Sequence, residues 1–471
     1  MSKFYLTTAI PYVNGKPHIG HALEYFQADT IRRYHDLLGE DTLLLSGADE
    51  NALKNVQAAE TEGQATQLFL DRNSAVFREA FDKLGVRLDV FQRGSDQDKH
   101  WPGVQKLWQL CLDNGDIYKK AYSGLYCVGC EAFKDPSELV DGKCPDHLKE
   151  PDQVTEENYF FKLSKYQNQL VELIENNEFK ITPDNKRAEA LSFIKQGLED
   201  FSVSRAKERA RGVGVPVPHD PDQVIYVWFD ALNIYMTGLG FGTDEDNWKK
   251  WWPADLHLIG KDISRFHTVY WPTMLLSAKI ALPKEILIHS FINAPGGQKM
   301  SKTLGNVIDP FAVSEIVGLE GLRYFLLSQI PIEADGEASV LRIKEVYNSD
   351  LANGLGNLIS RVAKLAETNN IEVSAFTSEF DPQMLIFLNQ HQFNLSLDHI
   401  WRKIRAADQL INLKKPWELS GEEAKTVLTD LVKQILHIGF NLQPFLPNTA
   451  RKILDQFSGK ISSREALFPR I

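Results

Sequence analysis

The stretch FYLTTAIPYVNGKPHIGHALEYFQADTIRRYHDLLGEDTLLLSG, residues 4–47, decides how the chain folds. Phe4 to Ile10 is rich in β-forming side chains and reads as a strand, followed by a loop from Pro11 to Pro17. Ala22, Leu23, Phe26, Ile31, Tyr34 and Leu38 then recur at helical spacing, and Gly39 stands where that helix would end. Thr42 to Leu45 reads as a buried strand, stopped at Ser46-Gly47. Strand, helix, strand in this order predicts an α/β architecture built on a doubly wound parallel sheet.

Strand-like runs return at Val224 to Phe229, Leu256 to Ile259 and Ile286 to Ile288. Between the two sets lies a turn-rich, cysteine-bearing segment from about Tyr118 to Pro218. The simplest organisation is one Rossmann sheet, residues 1–117 and 223–308, interrupted by an insertion over 118–222. A linking segment, 309–346, precedes a region where helical periodicity dominates, as in Leu355, Leu358, Ile359, Val362 and Leu365. Residues 347–471 are therefore expected to form a helical bundle of ordinary domain size.

The bulk numbers agree with several domains and exclude some classes of function. With 471 residues, 43% hydrophobic and 24% charged, the composition is that of a globular protein of two to four domains. No run of about 18 apolar residues is present, so no membrane span is expected. Met1-Ser2-Lys3 leads straight into the first strand without a leader pattern, so a cytoplasmic location is expected. A net charge of −11 argues against a whole-surface nucleic-acid binder but leaves room for a local basic face. Arg32-Arg33, Lys119-Lys120, Lys249-Lys250, Arg402-Lys403 and Lys414-Lys415 are candidates for one, or simply solvated surface.

Two elements suit a nucleotide triphosphate. His18-Ile19-Gly20-His21 stands where the first loop meets the first helix, and a helix amino terminus offers unpaired N–H groups and the positive end of its dipole. Two histidines three apart share a helix face, and Gly20 leaves the backbone open to a ligand. A metal pair is the other reading of these histidines. The second element is Lys299-Met300-Ser301-Lys302-Thr303, preceded by Pro295-Gly296-Gly297, where two lysines on a hinged loop can close on phosphates. A lysine-rich surface loop is the alternative. One element follows the first strand and the other the last, which in a doubly wound sheet can bring both to the carboxyl ends of the strands.

Cys127-x-x-Cys130 and Cys144-x-x-His147 have the spacing of a closed tetrahedral zinc site, one structural Zn2+ per chain. Three of the four cysteines lie there, as expected of a metal site in a reducing compartment. Cys111, beside Leu107 and Leu110, reads as a core thiol.

The histidine signature and the lysine loop together resemble the two signatures of the class I aminoacyl-tRNA synthetases. The stretch Thr8-Ala-Ile-Pro-Tyr-Val-Asn-Gly15 leading to His18 resembles their methionine-specific members, and Thr303 replaces the serine that usually ends the lysine loop. The resemblance implies a ligase that uses ATP with Mg2+ to convert L-methionine to methionyl-adenylate and pyrophosphate. Methionine then passes to the 3′ end of its tRNA. It implies that His18, Gly20 and His21 meet the phosphates, and that Lys299, Met300, Ser301 and Lys302 form the loop over the leaving pyrophosphate. Gly260 and Asp262 would hold the ribose. Asp49 and the backbone of Ile10 would take the amine. Tyr12, Trp228, Ala231, Leu232, Tyr235, Ile263, Phe266 and His267 would line the thioether slot.

The chain departs from the family at Gly47-Ala48-Asp49-Glu50-Asn51-Ala52, where Gly-Thr-Asp-Glu-His-Gly is usual. Its insertion is too short for the editing domain of the isoleucine, valine and leucine enzymes. Its cysteines lie outside the pocket, unlike those of the cysteine enzyme. The resemblance also implies anticodon reading by Asn357, Arg361, Pro416 and Trp417, although a lone tryptophan is otherwise read as core. Because the chain stops at Ile471 without an appended dimerising module, a monomer is expected. Two rival readings remain at this point: a non-catalytic tRNA-holding protein and a nucleotidyltransferase acting on a small molecule.

Overall fold

A computed structural model of the chain describes residues 2–129, 132–145, 148–300, 305–373, 376 and 378–471. They fall into two compact units. The first comprises the chain up to Pro17, Glu40–Asp82 and Arg87–Ile288; the second comprises His18–Gly39, Lys83–Val86 and His289–Ile471. The opening order is β1 (Lys3–Thr7), α1 (Ile19–Leu37) and β2 (Asp41–Ala48), as the sequence predicts.

The first unit continues with β3 (Val90–Arg93), β4 (Ile117–Cys127), β5 (Ala132–Lys134), β6 (Asp152–Phe161) and β7 (Lys180–Thr182). After these come β8 (Phe201–Ser202), β9 (Ser204–Ala206), β10 (Pro216–Val217), β11 (Asp220–Ile225), β12 (Leu256–Gly260) and β13 (Glu285–His289). The central sheet has the order β3-β2-β1-β12-β13-β7. β1 pairs in parallel with β2, Phe4 opposite Thr42, and with β12, Leu6 opposite Leu256. Tyr5, Leu45, Trp108, Ile259, Trp271 and Ile286 belong to one continuous buried cluster in this unit.

Three sequence expectations change. Of Val224 to Phe229, only Val224 and Ile225 are extended, and they pair antiparallel with β9 rather than joining the central sheet. Val227–Ala231 is a helix, α2, and all five of its residues are buried. A short apolar run buried on all sides does not tell strand from helix. Second, Gly47 does not stop β2. A Cβ there would lie 2.2 Å from the Gln92 carbonyl oxygen, so glycine lets β3 pack alongside. Third, residues 118–222 are not wholly peripheral: β7 pairs in parallel with β13, Ile181 opposite Ile286, and closes the sheet edge. Three residues are too few to show a period. The rest of that segment forms an antiparallel sheet, β5-β4-β6-β8, and shares with β11 a smaller one, β10-β11-β9.

In the second unit α1 is capped by His18 and ends before Gly39, whose φ of +80° suits glycine. Arg32 is 3% exposed and turns toward Asp29 and Asp36, so it offers no free basic face. Arg323, on α4 (Leu319–Gln329, after α3, Ile234–Thr237, of the first unit), is buried and donates to Asp29 Oδ2 (2.6 Å) and Thr30 Oγ1 (3.0 Å) of α1. Its other donors meet the carbonyls of Phe445 (2.6 Å) and Pro444 (3.0 Å). Helices α5 (Asn357–Thr368), α6 (Phe393–Lys414), α7 (Gly421–Leu442) and α8 (Pro447–Phe457) bury apolar stripes such as Leu358, Ile359, Val362 and Ala366. Among the described residues, no helix is long and apolar enough to cross a membrane.

Candidate active site

The strand order reverses between β1 and β12, and a ligand of a doubly wound sheet binds beyond the carboxyl ends at that point. The loop after β1 brings Ile10 and Tyr12; β12 ends on Gly260 and the turn after it brings Asp262 and Ile263; Asp49 directly follows β2. Asp49 is 2% exposed, its N–H donates to Pro11 O (3.0 Å), and it bridges in parallel to Tyr12.

Beside these, α2 and the turn after it supply Trp228, Ala231 and Leu232, and α3 supplies Tyr235, all buried. Trp228 stacks on Phe266 (centroids 3.7 Å apart, 8° between planes) and meets Tyr12 edge-on at 6.1 Å. The buried Trp228 Nε1 has no hydrogen-bond partner among the described residues, a donor that an acceptor on a ligand would satisfy.

Two histidines here are fully buried. His267 Nδ1 faces the carbonyl of Ile263 at 3.0 Å, so it carries the proton, and Nε2 accepts from Tyr235 OH at 2.8 Å. Burial lowers its pKa to about 4, against an opposing hydrogen bond to Ile263. His257 accepts from Trp271 Nε1 (3.3 Å) and donates to Thr7 Oγ1 (2.7 Å). Burial, then the nearby His267, pushes its pKa well down. Both rings are thus neutral, an environment suited to an uncharged side chain. Nothing local in the sequence announces His257, because its partners Thr7 and Trp271 come from elsewhere in the chain.

In the second unit the histidine signature forms a reciprocal cap. His18 Nδ1 accepts from Gly20 N–H and His21 Nδ1 accepts from His18 N–H, both at 3.1 Å. In the neutral rings the protons therefore sit on Nε2, which leaves each ring a donor. A Cβ at Gly20 would lie 3.0 Å from the His18 ring, so glycine also protects that rotamer. β14 (Ile292–Ala294) and β15 (Gln298–Lys299) make a hairpin around Pro295-Gly296-Gly297, where both glycines have positive φ. Lys299 is exposed with Nζ 5.9 Å from the Phe291 ring centre, and Met300 is half-buried. Ser301 and Lys302 lie outside the described residues.

Cys127, at the end of β4, and Cys144 are buried. Cys111 lies in the apolar core of the first unit: it faces Met274 O at 3.6 Å, and burial pushes its pKa up to about 12. Cys130 and His147 lie outside the described residues, among which no cluster of three or more metal-ligating side chains is present.

On α5, Asn357 is exposed and Arg361 is held by Asp408 Oδ1 (2.7 Å) and Asn412 Oδ1 (2.8 Å). Past α6, Pro416 is buried while Trp417 is 51% exposed, so Trp417 is not a core residue.

The family described as tRNA synthetases class I (M) matches residues 4–155 and 135–363. Among curated relatives, the methionine–tRNA ligase of Clostridium acetobutylicum is 39% identical, covering 100% of this chain and 78% of that one. That of Brucella melitensis is 40% identical over 98% of this chain and 93% of its own. The structure of Mycobacterium tuberculosis methionyl-tRNA synthetase in complex with methionyl-adenylate superposes with a TM-score of 0.90 at 36% identity, covering all of both chains. With its family signature, its strand order and this similarity along its whole length, the chain belongs to the methionine–tRNA ligases of the class I synthetases.

Proposed function

We propose that this member of the family recognises methionine in the slot beyond β1, β2 and β12. It activates methionine with ATP and charges it onto tRNA, the activity of its family. The observation that carries the slot assignment is the buried carboxylate of Asp49 at the same strand ends as the Tyr12–Trp228–Phe266 aromatic group. A carboxylate suits the ammonium of an amino acid, and polarizable rings beside a neutral His267 suit a thioether. Ile10, Ala231, Leu232, Tyr235 and Ile263 complete that slot, and Gly260 with Asp262 takes the ribose.

The reaction needs no general base. The methionine carboxylate is already ionised when it attacks the α-phosphate of the Mg2+–ATP substrate, and pyrophosphate leaves. Catalysis is therefore positioning plus stabilisation of charge on the phosphates. His18 and His21 donate to the α- and β-phosphates from a helix amino terminus, while Lys299 and Lys302 hold the pyrophosphate, with Met300 and Ser301 between them.

Cys127, Cys130, Cys144 and His147 would hold one Zn2+, which supplies folding energy to its segment rather than chemistry. The two described thiols fit this reading: both are buried, as the ligands of a closed site are. Zinc analysis of the purified protein tests it, and full activity without zinc in chelator rejects it.

Asn357, Arg361, Pro416 and Trp417 form the anticodon face of the 347–471 region, and the chain acts as a monomer. The deciding experiment for the whole assignment is ATP–pyrophosphate exchange with each of the twenty amino acids. Methionine alone should support it, and exchange with another amino acid or with none overturns the slot assignment.

A further inference from the structure

One buried polar chain beside the slot has no part in the roles above. Asn51, two residues after Asp49, sends one amide hydrogen to Asp230 Oδ2 (2.6 Å) and the other to Gly94 O (2.8 Å). Both donors of the amide are thereby used. Asp230 lies in α2 between Trp228 and Ala231 and is 1% exposed. Its second oxygen accepts from His100 Nε2 (2.6 Å), and His100 Nδ1 faces Thr237 Oγ1 of α3 (2.7 Å). His100 is wholly buried.

The carboxylate thus joins three pieces of backbone: the Asp49 loop, α2 with its aromatic, and α3 with Tyr235. The neighbouring Glu50 is anchored separately, by Arg93 Nε (2.8 Å) and Ser95 N–H (3.1 Å). Hydrogen bonds to a buried charge are short, directional and about twice as strong as neutral ones, so they set spacing as well as stability.

We propose that Asn51 and Asp230 are positioning residues that set the distance between the ammonium-binding carboxylate and the aromatic wall of the amino-acid slot. Neither touches the substrate; they act through Asp49 on one side and Trp228 with Ala231 on the other. This inference rests on the slot assignment. Position 51 is also one at which this chain departs from the histidine usual in the family it resembles.

The test is pyrophosphate exchange and thermal unfolding on the full chain. Asn51→Ala leaves the Asp230–His100 pair intact and removes the amide's bonds to Asp230 and to Gly94 O. It should raise KM for methionine about tenfold, the scale of one hydrogen bond to a charged group. The KM for ATP should stay at the wild-type value, the melting temperature should fall by only a few degrees, and kcat should remain within about threefold.

An unchanged methionine KM in Asn51→Ala overturns the proposal, as does a rise accompanied by equal loss of stability and ATP affinity. Asp49→Asn in parallel separates the two readings. If it leaves methionine KM unchanged, the slot assignment itself falls. If Asp49→Asn raises that KM and Asn51→Ala does not, only the positioning role falls.

Discussion

The amino-acid slot and the Trp417 face use the same kind of side chain in opposite ways. Trp228 is 7% exposed, stacked on Phe266 and edged by Tyr12; Trp417 is 51% exposed, just past the end of its helix. A small apolar side chain is recognised by enclosing it, so the walls must be packed before the ligand arrives. An unstacked base supplies its own flat surface, and a tryptophan that reads it has to wait in water. Lys299, proposed to close on phosphates, is exposed in the same way. Enclosed groups should therefore cost stability and function together when removed, and open groups function alone.

The largest test of that contrast is Trp228→Ala. Truncating an enclosed aromatic should remove ~3–5 kcal/mol of stability and raise methionine KM, read by denaturant unfolding and exchange. A normal melting curve would put Trp228 on the open side of the comparison. Next is Lys302→Ala, expected to slow exchange by about 10²–10³-fold, the cost of one transition-state donor. Its methionine KM and unfolding midpoint should be those of wild type; a rate within threefold of normal rejects the assignment.

His267 sharpens the enclosed side through pH. Its folded pKa of about 4 lies below the ordinary 6.5, so the unfolded chain takes up the proton more readily. The stability it contributes is whole above about pH 6.5 and drains away as pH falls toward 4. That amounts to ~3 kcal/mol at one unit per 1.36 kcal/mol. Comparing wild type with His267→Asn isolates it: the stability difference should shrink across that window. A constant difference from pH 7.5 to 4 would mean that the ring takes up its proton as readily in the fold as in the unfolded chain.

The smallest effect belongs to the open face. Trp417→Ala should weaken tRNA binding by ~1–3 kcal/mol, about five- to a hundred-fold in aminoacylation efficiency. Exchange and unfolding should stay normal. Normal aminoacylation, or loss of all three, removes Trp417 from the anticodon role.

What could be read in advance was what repeats or clusters along the chain. The opening strand–helix–strand, Leu256 to Ile259, Ile286 to Ile288 and the cap at His18 all carry local signals, and all are present. The misreadings share one cause. Val227–Ala231 is buried on all sides, β7 is three residues long, and Gly47 owes its identity to Gln92 in another strand. In each case the deciding neighbour is distant in sequence. The same holds within the site: Asp230 and His100 are 130 residues apart, so no motif could have paired them. The pocket residues, by contrast, were legible only through resemblance, because apolar stripes at helical spacing are usually core.

The bond between Arg323 and Asp29 joins residues separated by 294 positions, and Arg323 is itself completed by carbonyls a further 121 and 122 residues on. On the ribosome this sets a delay. At 5–20 residues per second, α1 is made about 15–60 s before the arginine that joins Arg33 and Arg32 of α1 around its buried carboxylate. Until then Asp29 has the two arginines of its own helix but lacks its third cation, the buried one. The helix that begins with the histidine signature is thus among the first elements synthesised and among the last that can settle. A nascent chain halted short of Pro444 should carry it loosely docked and open to proteases.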